Sequence, residues 1–103
     1  MLRSLTWEDV LAWQASGRPF VLLDVRDAEE VAAAPLLGTR HIPVAALPQH
    51  AALLLPDRSQ PIVCFCQSGR RSAAAVRWLE ANGYQAVWDV PAGYFGYPGL
   101  HRS

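Results

Sequence analysis

Two runs of this chain, Phe20-Val21-Leu22-Leu23-Asp24-Val25 and Pro61-Ile62-Val63-Cys64-Phe65, are apolar almost without interruption and rich in β-branched and aromatic residues. A strand with one wet face alternates polar and apolar side chains. These runs do not alternate, so each is predicted to be a strand covered on both faces. Helices are the usual cover for such strands, and the sequence between and around the runs supplies them. The segment from Leu5 to Trp13 opens on Thr6, a good N-cap, and carries Glu8 and Asp9 in its first turn, where acids complement the helix dipole. Gly17 closes that helix, and Arg18-Pro19 turns the chain into the first run. A short helix over Ala28 to Ala34 is stopped by Pro35, and another over residues 48–55 begins with Pro48 in its first turn. The Ala-rich stretch from Ala73 to Asn82 reads as a further helix. It has Ser72, Ala75, Val76 and Leu79 on one face, and Asn82-Gly83 closes it. Ala86-Val87-Trp88-Asp89 is one more strand. Strands alternating with helices imply right-handed crossovers, so the expected class is α/β, with a central, mostly parallel sheet and helices on both faces.

A length of 103 residues is enough for one core and too short for two, so residues 1–103 are expected to form a single domain. Hydrophobic residues make up 51% of the chain and charged ones 17%, which excludes an intrinsically disordered tail. Nine basic residues balance nine acidic ones, so neither a general nucleic-acid binder nor a membrane-surface binder is expected. Apolar runs are far shorter than a bilayer requires, and Met1-Leu2-Arg3-Ser4 lacks the apolar centre of a signal peptide. The two cysteines, Cys64 and Cys66, are separated by one residue and do not make a disulfide framework. Residues i and i+2 of a strand lie about 6.6 Å apart, at the far edge of disulfide reach. The expectation is a soluble cytoplasmic protein with reduced thiols.

The chemistry concentrates in Cys66-Gln67-Ser68-Gly69-Arg70-Arg71-Ser72. A strand that ends in a tight loop and restarts as a helix converges backbone N–H groups on one spot, at the positive end of the helix macrodipole. A cysteine there, with Arg70 and Arg71 beside it, is set up to be a thiolate and therefore a nucleophile. Gly69 lets the loop curl tightly enough for the amides of Gln67, Ser68, Gly69, Arg70 and Arg71 to form an anion-binding nest. Cys64, inside an apolar strand, is expected to be a core residue rather than a resolving thiol. Asp24 and Arg26 follow the first strand at its carboxyl end, where open α/β sheets place their sites, and a carboxylate there can hold a loop arginine. His41 is expected to be a structural hydrogen-bonder rather than a general base. His50 and His101 have no partner in sequence, so metal ligation is not expected, and the chemistry calls for no cofactor. Trp7, Trp13, Trp78 and Trp88 are expected to be core or half-buried aromatics.

Four landmarks occur in an order that resembles the single-domain rhodaneses, sulfurtransferases that work through a persulfide. They are Asp24-Val25-Arg26, His41-Ile42-Pro43-Val44-Ala45, the loop Cys66 to Ser72 with Gly83-Tyr84 after its helix, and Ala92-Gly93-Tyr94-Phe95-Gly96-Tyr97. Together they span roughly residues 20 to 98. The sequence departs from the family pattern at Val44 and Ala92, where glycine is usual, and at Tyr97, where tryptophan is common. The resemblance implies a rhodanese-like three-layer sandwich and Cys66 as the nucleophile that takes sulfur from a small anionic donor such as thiosulfate. The acceptor it implies is cyanide, a thiol or a sulfur-carrier protein. It also implies that Arg71 turns back into the structure as a scaffold while Arg70 faces the pocket mouth, with Asp24, Arg26, His41 and Ser72 in support. From Cys66 to Arg71 the loop has six residues. The related phosphatases and arsenate reductases carry one more, which widens the cradle for a tetrahedral oxyanion. Besides a sulfurtransferase, the pattern leaves open a persulfide carrier with a dedicated protein partner and, further off, a phosphatase or arsenate reductase-like enzyme.

Overall fold

The computed structural model describes residues 2–101, with backbone alone for residues 100 and 101. Four strands, β1 (Val21–Asp24), β2 (Arg40–His41), β3 (Ile62–Phe65) and β4 (Val87–Asp89), form one sheet in the order β2-β1-β3-β4. Every pair among them is parallel. β1 and β3 are buried at each of their positions, as their unbroken apolar runs require. Their side chains alternate between two cores. Val21, Leu23, Ile62 and Cys64 face one side, covered by α3 (Leu47–Leu54) and α4 (Arg70–Ala81) through Leu47, Ala51, Ala75, Val76 and Leu79. Leu22, Val63 and Phe65 face the other, where α1 (Trp7–Ala15) supplies Trp7 and Val10. The result is a three-layer sandwich.

The helix ends follow their local chemistry. Thr6 caps α1 through its hydroxyl, which accepts from the Asp9 amide at 3.1 Å, while the Asp9 carboxylate accepts from the Thr6 amide. α2 (Ala28–Ala33) stops two residues before Pro35, and α3 starts at Leu47, one residue ahead of Pro48. The larger difference from expectation is at α4, which begins at Arg70 rather than Ala73. Arg70, Arg71 and Ser72 therefore belong to its first turn. β2 carries no sequence signal of its own. It is two residues long and exists because Leu23 and Asp24 of β1 pair with Arg40 and His41.

That register positions the site. Asp24 lies opposite both His41 and Phe65, so the carboxyl ends of β1, β2 and β3 finish at one edge of the sheet. Asp24, Arg26, His41 and Cys66 converge there from three separate stretches of sequence. No helix among the described residues is long and apolar enough to cross a membrane.

Candidate active site

Cys66 is the first residue after β3, and its backbone carries the chain into the first turn of α4. Gly69, the N-cap of α4, has a φ of +99°, and a Cβ built there would stand 2.6 Å from the Pro91 carbonyl oxygen. Glycine alone fits on both counts. With the loop so curled, the Gly69 N–H donates to Cys66 Sγ at 3.0 Å and the Ser72 N–H at 3.4 Å. The Ser72 hydroxyl donates to the Gly69 carbonyl at 3.0 Å and pins the same turn. Burial opposes ionisation of Cys66, but the backbone amides of Ser72, Gly69 and Ser68 outweigh it and hold the thiol below its ordinary range. The N–H groups that reach the sulfur thus include Ser72, a residue placed on the packing face by its spacing alone.

The loop is braced from behind. Its Cys66 and Gln67 carbonyls accept from the Tyr94 N–H at 2.7 Å and the Phe95 N–H at 3.2 Å. Carbonyls engaged on that side leave the loop's amides to face the sulfur. Gly93, with φ +64° and ψ −171°, makes this approach possible, since a Cβ there would clash with the Gln67 carbonyl, 2.6 Å from its carbon and nearer still to its oxygen. Trp7 of α1 fixes the bracing segment in turn. Its indole N–H donates to the Gly93 carbonyl at 2.8 Å, and its ring meets Phe65 and Tyr97 edge-on at 5.4 and 5.0 Å.

Arg26 is fully buried. Its Nε donates to both oxygens of Asp24 at 3.0 and 3.1 Å, and its Nη2 to Asp24 Oδ2 and the Ala34 carbonyl, both at 2.8 Å. Its Nη1 donates to Gln67 Oε1 at 3.0 Å, and its Cζ lies 4.3 Å from the centroid of the Tyr94 ring. The expectation that Asp24 holds a loop arginine is corrected here: Asp24 is saturated by Arg26, two residues away. The loop arginine that is held, Arg71, pairs instead with Glu30 of α2 at 2.6 and 2.9 Å, and with Asp27 at 3.7 Å. The hydrogen bond from Arg71 is the main reason that the Glu30 carboxyl is lowered to about 2; burial works against it. Arg71 is raised in return. Its charge is shared with a carboxylate, so the N–H groups around Cys66, more than two free arginines, stabilise the sulfur anion. Arg70 is exposed. His41 donates from Nε2 to the Arg26 carbonyl at 2.7 Å, because a carbonyl only accepts.

Both cysteines are free thiols, and Cys64 is fully buried beneath the site. Burial, then the Asp89 and Cys66 charges, push its thiol far up, so it stays protonated. Trp7 is buried, and Trp13, Trp78 and Trp88 are half-buried. His50 is exposed on α3, and the His101 side chain lies outside the described residues. A cleft of about 370 Å³ runs between the start of α1 and residues 91–98, lined by Trp7, Pro91 and Pro98 among others; no residue of the cysteine loop lines it. Glu30 and the bond between Gln67 and Arg26 were not expected from the sequence. The one local signal was the Asp27 to Glu30 spacing, which also reads as a capping box and forms one here.

The thiol's environment makes a direct prediction. The rate of Cys66 alkylation is expected to rise through a midpoint below the free-thiol value of about 8.5. A folded-state value below the unfolded one means that thiolate stabilisation is complete above the unfolded value and is lost as pH falls through the folded one. Iodoacetamide kinetics on a Cys64→Ala background would read this, and a midpoint at or above that of a free thiol would contradict the geometry.

Residues 6–98 match a family model described as Rhodanese-like domain. The tRNA uridine(34) hydroxylase of Xanthomonas euvesicatoria pv. vesicatoria (strain 85-10) is 35% identical over 85 residues, which is 79% of this chain and 34% of that protein. The chain therefore spans about a third of the length of such relatives. The uncharacterized protein YqhL of Bacillus subtilis (strain 168) is 29% identical over 103 residues, all of this chain and 78% of that one. Among solved structures, the human single-domain sulfurtransferase TSTD1 superposes with a TM-score of 0.82 at 27% identity, covering 100% of both chains.

Proposed function

The chain belongs to the rhodanese-like domain family, and within it we propose a sulfurtransferase that moves sulfane sulfur from an anionic donor such as thiosulfate to a thiophilic acceptor through a persulfide on Cys66. The observation that carries this reading is Cys66 Sγ at the start of α4, receiving N–H groups from Gly69 and Ser72. The thiolate attacks the outer sulfur of the donor, and the donor's S–S bond breaks with its electron pair leaving on the departing group. The loop's converging amides then face the charged outer sulfur of the persulfide. A thiol, cyanide or a carrier protein's thiolate takes that sulfur in the second half of a two-step cycle. Two features support the choice of chemistry: the loop of six residues, sized for one sulfur rather than a tetrahedral oxyanion, and the likeness to a single-domain sulfurtransferase over its full length. The tRNA uridine(34) hydroxylases share this domain over about a third of their length, so the activity of those whole proteins is not carried over to this chain.

Intact-mass analysis tests the proposal. Protein incubated with thiosulfate is expected to gain one sulfur atom per chain, and cyanide is expected to remove it. Hydrolysis of a phosphate ester with no sulfur adduct would replace the reading with a phosphatase. An adduct that neither cyanide nor small thiols discharge would favour a carrier for a dedicated protein partner. Arg70 and the exposed ring of Phe95, both on segments that form or brace the loop, would then belong to its docking surface.

A further inference from the structure

Gln67 carries a carboxamide with its oxygen held and its nitrogen unused. Its Oε1 accepts from Arg26 Nη1 at 3.0 Å, and a guanidinium has only N–H donors, so the contacting atom must be the amide oxygen. Arg26 has little freedom to adjust. It is fully buried, tied to Asp24 through Nε and Nη2 and to Ala34 through Nη2, with its Cζ over the Tyr94 ring. The backbone of Gln67 is held as well, through the Phe95 N–H on its carbonyl. The Nε2 amide is therefore a fixed, neutral double donor on the residue next to the nucleophile. It has no acceptor among the described residues, and Gln67 is half-buried.

We propose that Gln67 is a specificity residue that favours sulfur donors bearing oxygen on the leaving sulfur, the thiosulfonate class, over polysulfides. The inference rests on the sulfurtransferase reading. In the transfer step a new S–S bond forms between Cys66 and the sulfane sulfur, while the bond to the sulfonate sulfur breaks and its electron pair leaves with sulfite. Charge on the departing oxygens grows during this step, and the Nε2 amide donates to one of them, an interaction stronger in the transition state than before it. A polysulfide offers no oxygen to accept. The buried Asp24–Arg26 pair acts through Gln67 as a positioning unit, because it decides which end of the amide faces the donor.

The test compares thiosulfate with inorganic tetrasulfide. Both are dianions, so general charge effects cancel in the ratio of their kcat/KM values. Gln67→Met removes the donor and the acceptor; Gln67→Glu keeps an oxygen for Arg26 and removes the donor. The thiosulfate-to-tetrasulfide ratio is expected to fall about tenfold in both, the worth of one charge-assisted hydrogen bond. Should Gln67→Met fail to fold, Gln67→Glu decides alone, since its Arg26 contact persists. Equal losses toward the two donors, or an unchanged ratio, would overturn the proposal and leave Gln67 a loop-shaping residue. If neither donor loads sulfur onto the wild-type protein, the sulfurtransferase reading itself falls, and this inference with it.

Discussion

Cys66→Ser is expected to reduce sulfur loading and sulfur transfer to the uncatalysed background, while Cys64→Ala retains most of both. The two thiols lie two residues apart, and their surroundings differ in kind. Cys66 Sγ receives the Gly69 and Ser72 amides, which favour the anion, while Cys64 is enclosed by apolar side chains, which forbid it. Serine has nearly the shape of cysteine, but its hydroxyl stays protonated in the same cradle, where the hydrogen-bond partners of the Cys66 sulfur among the described residues are backbone amides and not a base. Cys64→Ala opens a small cavity between the sheet and its α3/α4 cover, at a cost of about 1 kcal/mol in stability rather than in chemistry. Loaded mass, turnover and urea unfolding, measured on both variants, separate the two effects. Comparable loss of transfer from both substitutions would favour a two-thiol redox mechanism.

Asp24→Ala is expected to be the most damaging single change outside the loop. Both members of the Asp24–Arg26 pair are wholly buried, so the variant leaves a guanidinium without its counter-charge in the interior. Removing one partner of such a pair costs about 3–5 kcal/mol, against a total of roughly 5–15 kcal/mol for a domain. The urea midpoint should fall accordingly with the slope unchanged. The double variant Asp24→Leu with Arg26→Met is expected to recover much of that stability, because replacing a buried pair by apolar residues is often neutral or better. Its turnover of thiosulfate should stay about tenfold low, since Gln67 loses its anchor. A loss below about 1 kcal/mol in Asp24→Ala would mean that the pair is solvated rather than dry.

The features legible along the chain are those that depend on contiguous residues. Residues 20–25 and 61–65 announce strands covered on both faces because burial leaves its mark on every position of such a run. The nucleophile is legible for a similar reason: strand, glycine-curled loop and helix follow one another along the chain, so the convergence of amides on Cys66 is a local event. Even the packing face of α4, with Ser72, Ala75, Val76 and Leu79 all buried, follows from helical spacing. The partners of the charged groups are a different matter. Nine acids and nine bases permit many pairings, and beyond the local Asp24–Arg26 pair the contacts that form at the site reach across 41 residues, from Arg26 to the Gln67 carboxamide and from Arg71 to Glu30. The tertiary structure alone chose them, and it did so through parallel pairing: by setting Asp24 opposite Phe65 and His41, the register brings Arg26 under the loop that follows β3. Once there it is cut off from water, and a buried guanidinium must find acceptors among whatever the fold has placed within reach. Asp24, the Ala34 carbonyl and Gln67 are the groups that the register and the end of α2 put there.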